Sequence, residues 1–160
     1  MLVVDASSII YAWDNYPIRQ FPGLWVWLAE QFAEKQLVLS RVAYDEVGNK
    51  APECAAWLRD ANTELIEITN AIVQEALKIK RLLGITADNY HTRGVGENDI
   101  LIIATAVVSN VGLVSEEGRQ QNPPDIPAKR KIPAVCAMDD VGVPCTNFIE
   151  FIKQSGAVFG

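Results

Sequence analysis

Histidine is almost absent: His91 is the only one, set in a polar loop with Thr92, Arg93 and Gly94. That scarcity excludes a histidine-rich zinc site. It also leaves Ser-His-Asp or Cys-His catalysis dependent on one residue whose setting reads as ordinary surface. Cysteine is sparse as well. Cys54, Cys136 and Cys145 are odd in number and lack the paired spacing of a zinc knuckle, so they read as reduced structural thiols. No long apolar run occurs. The longest nearly uncharged stretch, Ile100 to Val108, is about half of what a bilayer-spanning helix needs, and Met1 leads into a strand without the basic region or cleavage site of a secretory leader. A cytoplasmic protein with no membrane partner is expected. Positive charge is not in excess: 14 Lys and Arg against 20 Asp and Glu give a net charge of −6, which argues against a protein that coats itself in nucleic acid through a broad basic face.

What the chain does have is enough length for one sizeable core. At 160 residues, with 49% apolar and 21% charged residues, neither disorder nor a fibrous class is supported. A single domain over residues 1–160 is expected. Basic residues are unevenly placed. Arg119, Lys129, Arg130 and Lys131 share their segment with Asp125 alone, and Lys78, Lys80 and Arg81 form a second group.

Short apolar runs alternate with helical patterns along the chain. Leu2 to Asp5 reads as a strand, with Ser7 or Ser8 capping a short helix through Trp13. Pro22-Gly23 opens a Trp-rich helix over 24–35, and Leu37 to Leu39 is a strand followed by a Ser40-capped helix to about Asn49. Pro52 to Asp60 is a helix, Leu65 to Ile68 a strand, and Asn70 the cap of a helix to Gly84. A polar loop over 88–96 precedes a very apolar helix from about Asn98 to Asn110 and a strand at Gly112 to Ser115. After a Pro-rich basic loop come a helix at Ile132 to Val141, an extended piece at Pro144 to Asn147 and a helix at Phe148 to Gln154. This alternation predicts an α/β fold, a parallel sheet with helices on both faces, in which ligands gather at the carboxyl ends of strands.

Four acids stand in unusually apolar settings. Asp5 ends a buried strand, where an unpaired carboxylate is costly. On the helix from Arg41, Asp45 shares a solvated stripe with Arg41 and Asn49, whereas Glu46 lines up with Val42 and Ala43 on the core-facing side. Asp99 heads a helix apolar around most of its circumference, so that helix start opens inside the molecule, although an acid there is also a normal cap. The strand at Gly112 to Ser115 runs into Glu116-Glu117. Of these two, Glu117 shares the orientation of Ser115 if the extended geometry continues. Carboxylates brought together in that number would take up protons unless divalent cations held them, and hard oxygen ligands suit Mg2+ or Mn2+. The reading requires their oxygens to lie within bonding reach of a common ion. Such sites usually perform phosphoryl transfer.

Val4-Asp5-Ala6-Ser7, Tyr44-Asp45-Glu46-Val47, Asn98-Asp99 with its apolar run, and Leu113-Val114-Ser115-Glu116-Glu117, in this order, resemble PIN-domain ribonucleases. The likeness is strongest to a VapC-toxin-like bacterial and archaeal subgroup. Trp25-Val26-Trp27 and Lys131-Ile132-Pro133-Ala134-Val135-Cys136 extend it over nearly the whole chain. The resemblance implies a three-layer α/β/α sandwich and metal-dependent endonuclease activity on an RNA substrate, often as the toxin of a toxin-antitoxin pair. It makes Asp5, Glu46, Asp99 and Glu117 the catalytic acids and Mg2+ or Mn2+ ligands, with Ser7 and Ser115 as hydrogen-bonding neighbours. Two positions depart from the pattern: Ala6-Ser7 where many members have Thr-Asn, and Glu117 where Asp is commoner.

An aspartyl-phosphate phosphatase would need a second acid two residues after Asp5, where Ser7 stands. The stronger rival is a PIN-like interaction module without catalysis, whose acids are merely helix caps. Trp13, Trp25, Trp27 and Trp57 read as core, with the Trp-bearing helical hairpin available as a homodimer or antitoxin face.

Overall fold

The computed structural model describes residues Met1–Gly160. It opens with β1 (Leu2–Val4), α1 (Ala6–Asn15), α2 (Pro22–Ala33), β2 (Leu37–Ser40) and α3 (Arg41–Lys50). Next come α4 (Pro52–Asp60), β3 (Leu65–Ile66), α5 (Asn70–Leu82), α6 (Glu97–Ser109) and β4 (Gly112–Val114). A 3-10 turn at Pro127–Lys129 leads to α7 (Ile132–Cys136), β5 (Cys145–Thr146) and α8 (Phe148–Ser155). No helix is long and apolar enough to cross a membrane.

The five strands form one sheet in the order β3-β2-β1-β4-β5, and every pairing is parallel. Val3, Val4, Val38, Leu39, Leu113 and Val114 are buried, because helices cover both faces of a parallel sheet and leave no polar side to the strands. The chain builds outward from β1 through β2 to β3, then returns past β1 to lay down β4 and β5. Crossovers therefore leave β1 and β4 in opposite directions, which opens a crevice at their carboxyl ends. Val4 pairs with Val114 and the Asp5 amide donates to the Val114 carbonyl at 2.8 Å, so Asp5 and Ser115 emerge side by side at that crevice.

One apolar cluster of 37 buried residues holds the layers together. Ile100, Ile102, Ile103, Ala104 and Ala106 of α6 belong to it, but the helix starts at the surface, with Glu97 and Asn98 exposed and Asp99 half-buried, and not inside the molecule as its apolar run suggests. The tryptophans pack as well. Trp25 is buried, meets Trp13 and Trp57 edge to face at 5.3 and 4.8 Å, and donates its indole N–H to the Tyr16 carbonyl at 2.7 Å. Trp27 lies outside this group, against Phe151 and Phe159.

Three local expectations are corrected. Asp5, not a serine, occupies the cap position of α1, so Ser7 and Ser8 fall inside its first turn. Thr69 caps α5, its hydroxyl accepting from the Ile72 amide at 3.3 Å, and Asn70 is the first helical residue. The helix expected to reach Val141 stops at Cys136. Gly142 adopts a left-handed φ of 62°, and the chain reverses so that the Val143 amide meets the Cys136 carbonyl at 3.0 Å, burying Val141 and Val143.

Candidate active site

Asp5 is the centre of the crevice and is 2% exposed. Two hydroxyls serve its Oδ2: Ser7, in the first turn of α1, donates a very short hydrogen bond, and Ser115, just after β4, donates at 3.1 Å. The serines also hold the segment after β4. Ser7 Oγ accepts from the Glu116 amide at 3.0 Å, and Ser115 Oγ accepts from the Glu117 amide at 3.2 Å. Burial pushes the Asp5 carboxyl up to about 6, the Ser7 hydroxyl opposes this, and the negative charges of Asp99 and Glu46 add to it.

The other three acids reach this centre from three different elements. Glu46 sits on α3 between exposed Asp45 and buried Val47, half-buried on the side facing Asp5. Asp99, in the first turn of α6, is raised by burial against the opposing pull of the Gly96 amide and the Lys50 charge. Glu117 is pushed up to about 7 by burial and then by Asp99, while the Ile132 amide and Lys131 pull the other way. Glu116 turns aside: its Oε1 accepts from the Phe148 amide at 2.6 Å, at the start of α8.

Asp5, Glu46, Asp99 and Glu117 thus share one electrostatic neighbourhood, but they do not form one coordination sphere. No three acid, histidine or cysteine side chains are gathered closely enough to hold a single ion. Two of the carboxylates point one oxygen at a backbone N–H: Asp99 Oδ2 at Gly96, the residue before α6, 2.9 Å, and Glu117 Oε2 at Ile132, 3.2 Å. The donor set nonetheless suits a hard divalent cation in kind. It is all carboxylate, Asp5 is buried and the other three are half-buried, and burial, then the like charges, raise Asp5 and Glu117 despite the nearby Lys131; a bound cation would relieve that repulsion.

The basic loop abuts this site. Lys131 precedes α7, whose first amide meets Glu117, and the Val95 amide donates to the Arg130 carbonyl at 3.0 Å, tying the loop to the start of α6. Gly94 makes that approach possible, because a Cβ there would stand 1.8 Å from the Ala128 carbonyl oxygen. Arg130 is committed to the loop itself through the Pro124 carbonyl at 3.1 Å, whereas Lys131 is exposed and Lys129 half-buried.

Sequence reasoning overlooks Lys50, although its four-residue spacing from Glu46 along one helix is a usable signal. Arg41 does not pair with Asp45 as its spacing suggests; it instead bonds Glu67 Oε1 at 2.7 Å across to the segment after β3. His91 lies in its loop with Nδ1 accepting from the Arg93 amide at 3.1 Å, apart from the acids.

Strand order, layering and a crevice of acids at the ends of β1 and β4 define a PIN-like α/β/α fold. The chain belongs to the family described as Domain of unknown function (DUF4411), which matches residues 2–159. Among solved structures it is similar to the crystal structure of VapBC2 from Rickettsia felis bound to a DNA fragment from their promoter. That similarity has a TM-score of 0.54 at 17% identity and covers 91% of this chain and 97% of the other. No curated protein matches the chain.

Proposed function

We propose that this protein is a metal-dependent endoribonuclease that hydrolyses RNA phosphodiester bonds as the toxin of a toxin-antitoxin pair. Asp5, Glu46, Asp99 and Glu117 are its Mg2+ or Mn2+ ligands in this reading. The observation that carries the proposal is Asp5: a carboxyl buried at the end of the central strand, in the negative field of two further acids, with no cation of the chain against it. When bound, a divalent cation would supply an acidified water and offset charge on the phosphate. The chain's own part is positioning. Ser7 and Ser115 fix Asp5 Oδ2 and leave Oδ1 unengaged, while Lys50 and Lys131 moderate the repulsion at Asp99 and Glu117.

One observation favours the rival interaction module: Asp99 and Glu117 serve as caps, and Glu116 meets the first amide of α8. Metal addition separates the two readings. At about a hundred times its dissociation constant, Mn2+ should stabilise a nuclease by about 2.7 kcal/mol, raising the melting temperature roughly 5–10 °C, with full reversal by chelator. An unchanged melting temperature, together with intact RNA after Mn2+ addition, would leave the module reading standing.

The antitoxin assignment is supported by the likeness to VapBC2 and by apolar surface near α2. Phe21 and Val26 are exposed there, beside a cavity of about 480 Å3 lined by Tyr16, Leu24 and Ile152. Either an antitoxin or a second copy could cover it.

The basic loop guides the RNA backbone in this proposal. Replacing Lys129 and Lys131 together with Ala, leaving Arg130 to its structural bond, should weaken RNA binding. It should also flatten the plot of log affinity against log salt by about 0.7 for each phosphate that is no longer neutralised. An unchanged slope in filter binding across a salt series would remove the loop from the binding surface.

A further inference from the structure

The segment from Gln120 to Lys131 closes on itself beside the carboxylate site. It is a compact Ω-shaped loop, stiffened by Pro123, Pro124 and Pro127, and its two ends meet through one side chain. The Gln120 amide group bonds twice: Oε1 accepts from the Lys131 amide at 2.9 Å, and Nε2 donates to the Lys129 carbonyl at 3.3 Å. The next amide along, that of Ile132, goes to Glu117 Oε2 at 3.2 Å. Two consecutive amides at the start of α7 are thus held by side chains of the segment leaving β4, which sets Lys131 directly beside the acid.

The other bonds of the loop do not reach both lysines. Arg130 Nε donates to the Pro124 carbonyl within the loop, and the Val95 amide fastens the Arg130 carbonyl from outside. Gln120 alone has a side chain bonded to the backbone of both Lys129 and Lys131. Neither lysine is in an ion pair, so both positive charges are available to an anion.

We propose that Gln120 is the positioning residue of this loop, clasping Lys129 and Lys131 in the arrangement that an RNA backbone meets beside Glu117. The proposal rests on the reading of the basic loop as a guide for RNA. Its physical basis is pre-organisation: a lysine whose backbone is already fixed loses less freedom when a phosphate binds, so more of the attraction appears as affinity. Glutamine serves both partners at once, because one end of its amide accepts and the other donates. A carboxylate in its place would turn an oxygen against the Lys129 carbonyl, and asparagine would fall one methylene short.

The test uses Gln120→Met in the full-length protein, which keeps the length of the side chain and removes both bonds, with chelator present so that no RNA is cut. In filter binding of a single-stranded RNA, affinity should fall about tenfold, the change that two modest hydrogen bonds carry, and the plot of log affinity against log salt should flatten. In the background of Lys129→Ala with Lys131→Ala, the same substitution should change affinity by less than about twofold, since the groups it positions are gone. A purely structural glutamine would lower the melting temperature and leave RNA affinity unmoved, or lower it equally in both backgrounds; either result overturns the proposal. RNA binding that survives the double lysine substitution is a separate failure, that of the loop reading itself, and removes the proposal with it. Should Gln120→Met fail to fold, amide exchange in the unsubstituted protein decides. The Lys131 amide should exchange at least about tenfold more slowly than that of exposed Asn122, which meets no acceptor, and added RNA should slow it further. Equal rates, or no response to RNA, would overturn the clasp.

Discussion

Asp5→Asn is expected to make the metal-free protein more heat-stable and the metal-supplemented protein inactive. The two effects have one cause. The Asp5 carboxyl stands at about 6 when folded against 3.8 as its ordinary value, so the ionised folded state is disfavoured by about 3 kcal/mol. A folded pKa above the unfolded one contributes stability that is complete below about pH 4 and is lost as pH rises through 6. Asp99 and Glu117, also raised, act in the same direction. In chelator, the unsubstituted protein should therefore melt lower at about pH 8 than at about pH 5. Asn keeps an oxygen for the Ser7 and Ser115 hydroxyls without the charge, and should raise the melting temperature at about pH 8 by roughly 5 °C or more. With Mn2+ the order inverts: the variant should gain nothing from the ion and lose at least about a hundredfold in RNA cleavage, the loss that follows even from disturbing groups around a metal. Thermal melts with and without Mn2+, alongside cleavage of one labelled RNA, check both halves. A variant that melts lower without metal, or cleaves normally with it, removes Asp5 from the centre of the site.

Gly94→Ala should be among the most damaging single substitutions in the chain, although it deletes no interaction. Its Cβ would stand 1.8 Å from the Ala128 oxygen and 2.8 Å from the carbonyl carbon, both of them backbone atoms that no side-chain rotation can move aside. The loop before α6 and the basic loop must then separate, with loss of the bond from Val95 to Arg130. A cost of about 2–4 kcal/mol and a fall of roughly 5–15 °C in melting temperature are expected. Gly23→Ala is the matched control, since nothing lies within 4 Å of a Cβ there. Equal melting temperatures for the two variants would show that the loops are not packed against each other as described.

The alternation of short apolar runs and helical periods is enough to anticipate the parallel sheet and most of its helices. Burial on both faces leaves an unambiguous pattern in strands such as Leu37–Ser40 and in α6. What the pattern does not carry is decided by single interactions. The stop at Cys136 depends on Gly142 turning left-handed so that two valines are buried, a tertiary gain that a helical period cannot encode. The position of the α5 cap depends on which of two adjacent polar residues, Thr69 or Asn70, reaches the Ile72 amide. The same holds at the site. Each acid can be suspected from its apolar company, and the fold brings them into one neighbourhood; Asp99 meets the Gly96 amide at ordinary helix-start spacing, but Glu117 is directed by the Ile132 amide across a loop, which no spacing rule reveals.

The tripeptide Ser115-Glu116-Glu117 has a consequence for how this chain can vary. Loops at sheet ends usually absorb insertions and deletions, and the exposed residues after Gly118 have that freedom. These three do not. Alternation along the chain sends Glu116 to the start of α8 and Glu117 to the start of α7, so gaining or losing one residue would swap the two destinations and detach both helices at once. Here the number of residues is itself under constraint, in addition to their identity.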